Sequence, residues 1–404
     1  MNSQRPESTP RYLGLKRTEL IIVIGLGVVV CSVMAIVAVF ATRVAPLVTE
    51  AVASAIPPTR EVTRVVPTSA PTRIPTATPV PTATSTPTPL PTATPEPGLS
   101  VSRPLPPASV FVSAGWDVRV LAVMRGEAAA QAIRAANQFN DEAAPGHEYV
   151  LIRVRAKSVH TDQASHEIRA GDFRLVGSMR IEYSSPGIVA PEPRLNAEVF
   201  AGGEVEGWIV FMVAKDEAQL ILIWDPLSDS TAHRVYVALE EGAALPIDPA
   251  LDQMLPNELG RTREQPAPLG SSVVTDKWVI TALEMVRGEA AWSMVQAVNQ
   301  FNDPPEAGME YVAVRVRARY IKPEDATGRI YSGDFKTLGS TSVLHDSPSV
   351  VDPEPALDAT LYPGGEAEGW IIVQAKVDES DLLLVFDPLF DSDDQNRRFL
   401  SLTP

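Results

Sequence analysis

Beyond about residue 99, apolar and polar positions alternate mostly with a period of two. In residues 149–157, Val150, Ile152, Val154 and Ala156 alternate with Leu151, Arg153, Arg155 and Lys157. This predicts a strand with one buried and one solvated face. Similar runs bounded by Gly, Pro and Asp predict strands at 116–124, 168–175, 206–213, 219–224 and 234–239. Residues 127–138 break the pattern: they are alanine-rich and lack alternation, so they predict a short helix. Gly126 before it and Asn140-Asp141 after it act as punctuation.

The whole pattern occurs twice. Placing Trp116 on Trp278 aligns residues 116–230 with 278–392 without a gap, with roughly half the positions identical. Shared segments are RGEAA (from Arg125 and Arg287), NQFND (Asn137 and Asn299), EYV (Glu148 and Glu310), GDF (Gly171 and Gly333), PEP (Pro191 and Pro353), GGE (Gly202 and Gly364), EGWI (Glu206 and Glu368) and DPL (Asp225 and Asp387). Seven or eight short strands and one inserted helix in roughly 130 residues predict an all-β fold, two tandem antiparallel β-sandwiches of immunoglobulin type. Their expected limits are 99–245 and 267–404, joined by a linker over 246–266. Trp116, Trp208, Trp278 and Trp370 lie in strand patterns and are expected in the cores.

Residues 20–42 contain no charge and are long enough to cross a hydrocarbon core of ~30 Å as a helix. Arg5, Arg11, Lys16 and Arg17 precede them, which places the tail 1–19 in the cytoplasm and the rest outside. A cleaved signal peptide fits less well, because its apolar stretch runs about 7 to 15 residues. Residues 43–98 follow, and from Pro57 they become Thr-Pro-Ala repeats that predict a polyproline-II-like stalk. At ~3.1 Å per residue it reaches on the order of 100 Å from the membrane. Its threonines are candidate O-glycan acceptors. The expected location is therefore a single-pass position in the cell membrane.

The net charge of −16 is carried by the part beyond the stalk, which repels phosphate backbones and excludes a nucleic-acid role. The single cysteine, Cys31, sits in the apolar segment and leaves no intramolecular disulfide or cysteine metal site.

The residues at 146–156, 171–173, 202–208 and 220–226, read in order, are G-x-E-Y-V-x-x-R-V-x-A, G-D-F, G-G-E-x-E-G-W and L-x-x-x-x-D-P. With their second-repeat partners they resemble the telokin-like, immunoglobulin-like domains of unknown function found in bacterial lipoproteins and membrane-anchored surface proteins. The resemblance covers both repeats. It implies an immunoglobulin-like fold and extracytoplasmic display, and carries no general activity.

Candidate chemistry is sparse. The only histidine of the second repeat, His345, stands opposite Tyr183 in the first, so no shared histidine triad or zinc site is expected. Shared carboxylates are numerous, among them Glu127, Glu148, Asp172, Glu206, Glu217, Asp225 and Asp229. Loop oxygens of Asn140, Asp141 and Asp172, with Asn302, Asp303 and Asp334, are candidate calcium ligands without EF-hand spacing. Arg125, Arg153 and Arg155 also recur and are expected to pair with nearby acids. No catalytic residue and no resident cofactor are expected. The leading expectation is a non-enzymatic surface protein binding a protein or glycan. A carboxylate-based hydrolase and a calcium-binding or sensing ectodomain are the alternatives.

Overall fold

The computed structural model describes residues 96–403 apart from 228–233, 323–326 and 389–393. The expected cytoplasmic tail, membrane span and nearly all of the stalk lie outside the described residues, as do Asp229 and its counterpart Asp391. Among the described residues no helix is long and apolar enough to cross a membrane.

The described chain is an all-β sandwich protein. In the first repeat β1 (Val110–Ser113), β2 (Trp116–Arg125), β3 (His147–Ser158), β4 (His166–Arg169), β5 (Phe173–Val176), β6 (Glu182–Tyr183), β7 (Asn196–Val199), β8 (Glu204–Ala214), β9 (Ile221–Trp224) and β10 (Val235–Ala238) follow one another. One helix, α1 (Gly126–Ala136), stands between β2 and β3, as the alanine-rich run predicts. Sheet order is β1-β2-β3-β8 in one layer and β10-β9-β5-β6 in the other, with β4 and β7 paired apart. All these pairings are antiparallel.

Second-repeat elements match: β11 (Ser272–Val274), β12 (Trp278–Arg287), α2 (Glu289–Val298), β13 (Met309–Tyr320), β14 (Gly328–Tyr331), β15 (Phe335–Leu338), β16 (Leu344–Asp346), β17 (Asp358–Leu361), β18 (Glu366–Lys376), β19 (Leu383–Phe386) and β20 (Arg398–Ser401). Their orders, β11-β12-β13-β18, β16-β15-β19-β20 and β14-β17, repeat the first set.

The core follows from the alternation. Val150, Ile152, Val154 and Ala156 of β3 point inward with Ile209 and Phe211 of β8, and meet Phe173, Leu175, Leu222 and Trp224 of the facing sheet. At roughly 1.5–3 kcal/mol per buried large apolar side chain, this layer supplies most of the driving force for folding. Trp116 and Trp278 lie in the cores as expected.

Three expectations need correction. Leu151 is not solvated: it is 1% exposed, because α1 lays Ala129 and Ile133 over the outer face of β3 beside Tyr149 and Val210. Trp208 and Trp370 are half-buried and pack on this same helix-covered face, not in the sandwich cores. The predicted strand 168–175 is two strands in different sheets, parted by a 3-10 turn at Ala170–Asp172. That turn forms because the Asp172 carboxylate accepts the Arg169 N–H at 2.9 Å and the Leu227 N–H at 3.0 Å, fixing the crossover from one sheet to the other.

Two shared motifs meet at one crossing. The PEP segment straps over β8 at Gly207, with Trp208 N–H donating to the Pro193 carbonyl at 2.8 Å. A Cβ on Gly207 would lie 2.3 Å from the Leu195 nitrogen, so only glycine admits the strap, and Gly369 meets Leu357 in the same way.

Residues 246–266 run against the folded body. Leu251 is 2% exposed, and the Gly260 carbonyl accepts the Phe399 N–H at 2.7 Å.

The repeats touch through Tyr362, which follows β17. It is fully buried against Val101, Val176, Ile221, Ile223, Tyr236 and Leu245 of the first repeat. Its N–H donates to the Arg180 carbonyl at 2.9 Å, and its hydroxyl donates to Glu182 at 3.1 Å. Arg234 reaches that hydroxyl at 3.3 Å and pairs with Glu182 at 2.7 Å and Asp225 at 2.8 Å.

Candidate interaction surface

Four of the six candidate calcium ligands, Asn140, Asn302, Asp172 and Asp334, have their side chains bonded to the backbone. The Asn140 side-chain oxygen accepts the Val189 N–H at 2.9 Å, while its amide donates to the carbonyls of Ile133 (3.1 Å) and Val189 (2.8 Å). Asn302 does the same with Val351 and Val295. These asparagines fasten the loop after each helix to the loop that passes over it. Asp141 and Asp303 are exposed, and their main-chain carbonyls accept the Tyr149 and Tyr311 hydroxyls at 2.9 Å. Asp172 spends both oxygens on the crossover turn, and Asp334 accepts the Tyr331 N–H at 3.1 Å. Among the described residues no group of three or more His, Cys, Asp or Glu side chains is placed to hold a metal.

The other shared acids are dispersed. Glu127 pairs with Arg134 at 2.9 Å and Glu206 with Arg153 at 2.8 Å, while Asp117, which the second repeat replaces with Val279, pairs with Arg155 at 2.9 Å. In the second repeat Glu368 lies between Arg315 (2.6 Å) and Arg317 (2.7 Å), and the hydrogen bond from Arg317 leads in holding its carboxyl below the usual range. Exposed pairs of this kind contribute about 0–1 kcal/mol each, and they account for the recurrent arginines.

One shared set does converge. Arg125 donates to the Glu148 carboxylate at 2.7 Å and to the Glu217 carbonyl at 2.8 Å, drawing RGEAA, EYV and the turn after β8 together. Glu217 is 2% exposed. Its carboxylate accepts the Ser178 hydroxyl (3.0 Å), the Met179 N–H (2.8 Å) and the Tyr183 hydroxyl (2.6 Å). Burial, then the bond to Glu217, pushes the Tyr183 phenol far above its ordinary range, so it stays a donor. Gly177 is required here, because a Cβ would lie 2.5 Å from the carboxylate.

In the second repeat Glu379 holds Thr341 and, at 3.2 Å, His345, beside Gly339. Burial works to raise the Glu379 carboxyl, and the hydrogen bonds from Thr341, Lys376 and His345 outweigh it and hold it below its usual range. Both oxygens of the Glu217 and Glu379 carboxylates accept internal hydrogen bonds, which is a structural use.

What faces outward is apolar. In the NQFND loops, Phe139 and Phe301 are 82% and 83% exposed. Each is presented by an Asx turn, Phe139 N–H to Asn137 at 3.2 Å and Phe301 N–H to Asn299 at 3.1 Å. The asparagine fasteners bring Val189 and Val351, also exposed, onto the same loops. In the sequence, Asn140 and Asp141 of NQFND read as punctuation and as candidate calcium ligands, and Phe139 carries no expectation. The only available signal was that both repeats keep a phenylalanine among polar neighbours, where turn chemistry has no use for one.

The chain matches no protein-family model and no curated protein. Among solved structures, ycdA, a candidate lipoprotein of Bacillus subtilis, is 18% identical over 32% of this chain and 38% of its own, with a TM-score of 0.26. The chain thus spans well under half of that protein. The yjhA protein of Bacillus subtilis is 14% identical over 34% of this chain and 99% of its own, at 0.25. An uncharacterized β-sandwich protein of Clostridium difficile is 11% identical over 36% and 100%, at 0.23. Scores this low bear on neither activity nor partner.

Proposed function

We propose that the chain is a non-enzymatic, membrane-anchored cell-surface protein that displays two tandem immunoglobulin-like modules to bind a protein or glycan of the cell envelope. The observation that carries the reading is the pair of solvent-facing phenylalanines, Phe139 and Phe301, presented on matching hydrogen-bonded loops. An exposed aromatic costs hydration and gives the fold nothing, whereas large aromatics dominate binding hot spots. Two copies on one tether raise effective concentration, so weak single contacts become useful avidity. The uncharged segment 20–42 and the proline-rich stalk supply the anchor and spacer in this reading.

The test is sedimentation of the protein with isolated envelope material, comparing the parent with Phe139→Ser, Phe301→Ser and the double variant. Each single change is expected to weaken binding and the double change to abolish it, with unfolding midpoints unaltered. Equal binding by the double variant overturns the reading.

A further inference from the structure

The junction between the repeats is heterologous, a knob on the second repeat seated on a socket of the first, and each repeat carries the counterpart of both surfaces. The counterpart of the Tyr362 knob is Phe200, which is 65% exposed. Its turn is already in the docked form. Gly203 N–H donates to the Phe200 carbonyl at 2.9 Å, as Gly365 N–H does to Tyr362 at 2.8 Å. Gly202 N–H donates to the Ser158 carbonyl at 2.9 Å, as Gly364 N–H does to Tyr320 at 2.8 Å.

The counterpart of the socket is on the second repeat. Arg180, Ile181 and Glu182 of the first correspond to Ser342, Val343 and Leu344, and Tyr236 corresponds to Phe399 through the strand pairing. Arg180 and Ser342 share a positive φ, 61° and 57°, so the backbone carbonyl that Tyr362 binds has a matching one here. Val343 and Leu344 are each 45% exposed. A cavity of about 500 Å³ opens on this face, and its lining includes Arg263, Leu338 and Leu383, the counterparts of Val101, Val176 and Ile221 in the occupied socket.

Two of the differences between the surfaces compensate. Tyr362 has a hydroxyl, and the first socket has Glu182 to accept it. Phe200 has none, and the second socket has Leu344 where that carboxylate would stand.

We infer that the protein associates with a second copy of itself head to tail, the Phe200 turn of one chain docking on the Val343–Leu344 face of the next. The contact adds a backbone hydrogen bond and a short antiparallel pairing, as Leu361 does with Ile181 inside the chain. Because donor and acceptor surfaces sit on different repeats, the contact does not close on a pair and builds linear arrays or rings. This names a partner for the displayed modules, and so rests on reading them as binding modules.

The experiment uses the full chain in detergent micelles with Cys31→Ser. Chains carrying Phe200→Cys are mixed with chains carrying Leu344→Cys and treated with a short bismaleimide. A covalent heterodimer joined at 200 and 344, absent from either chain alone, is expected. In sedimentation velocity, Phe200→Asp is expected to raise the association midpoint at least ~10-fold while leaving the unfolding midpoint unchanged. Sedimentation as a monomer at all concentrations overturns the inference. So does a linkage from position 200 or 344 to a cysteine placed in the stalk by Thr72→Cys on the same chain, which would make the stalk the occupant. Envelope binding that persists in Phe200→Asp and is lost in the Phe139/Phe301 double variant separates failure here from failure of the display reading.

Discussion

Replacing Glu217 tests whether a buried carboxylate organises the far end of each sandwich. Three donors converge on it: the Ser178 hydroxyl, the Met179 N–H and the Tyr183 hydroxyl, at 2.6–3.0 Å. Glu217→Ala leaves all three without an acceptor in a site 2% exposed. A stranded donor costs about 1–3 kcal/mol, and water entering the vacated space relieves part of the sum, so the expected loss is about 3–5 kcal/mol. Glu217→Gln keeps one oxygen for Ser178 and Met179 and turns an amide toward Tyr183, whose hydroxyl can rotate to accept. What is lost is the charge assistance, about 1–2 kcal/mol. Urea unfolding followed by tryptophan fluorescence reads this directly, because Trp116 and Trp224 lie in the first core. A full loss for Ala with none for Gln would mean that the site responds to volume alone, and losses under ~0.5 kcal/mol for both would refute the hub. In the second repeat Glu379, held below its ordinary range, contributes stability above the usual glutamate pKa that is lost as pH falls through its lower folded value. Glu379→Gln should therefore flatten the acid limb of the stability profile.

Burial, aided by Asp358 and opposed by hydrogen bonds from Ile372 and Ser332, pushes the Asp352 carboxyl up to about 6. A raised carboxyl costs stability as pH climbs from the ordinary aspartate value through 6, so Asp352→Asn, which keeps the acceptor for Ile372 N–H at 2.9 Å, should gain about 1 kcal/mol at pH 8 and nothing at pH 4 in thermal melts. Ile133→Ala should cost about 2–4 kcal/mol and loosen α1, which increased amide exchange over residues 126–136 would register. Arg234→Ala removes the close ion pair of Glu182, whose side chain is 8% exposed and keeps the Tyr362 hydroxyl at 3.1 Å and Arg174 at 4.0 Å, and should cost about 2 kcal/mol and separate the calorimetric transitions of the two repeats.

Much of this fold was legible because a strand buried on one side advertises its period. Val150 to Ala156, the helix near 127 and the gapless repeat all follow from residues close in sequence. Leu151 and Trp208 were misread because the alternation of β3 says which residues share a face and not that a helix covers the other one. The 168–175 run looked continuous because Asp172 makes its two bonds to Arg169 and Leu227, and the second partner is 55 residues away. Glu217 was visible only as one repeated acid among many, since Arg125, Ser178 and Tyr183 reach it across 34 to 92 residues. Phe139 was hidden for the opposite reason: an aromatic residue in a sequence is expected to be buried, and its exposure is a property of the loop that lifts it away.

Where the repeats differ, the differences are coupled, and this bears on how strongly copies can associate. Tyr362 in its socket makes a hydroxyl bond to Glu182 and receives one from Arg234, both charged partners, on top of its apolar burial. Bonds to charged groups contribute about 1.5–3 kcal/mol each. Phe200 and Leu344 can make neither, so the same geometry between chains rests on apolar contact and the backbone bond alone. Within a chain the short connection also supplies an effective concentration in the millimolar range, which a free second copy lacks. Had both repeats kept Tyr and Glu, the knob of one chain would compete for the socket of another at nearly the internal strength. With Phe and Leu at the outer positions, the inferred association is the weaker of the two contacts: the internal junction should form first, and the outer surfaces should meet only where copies are crowded together.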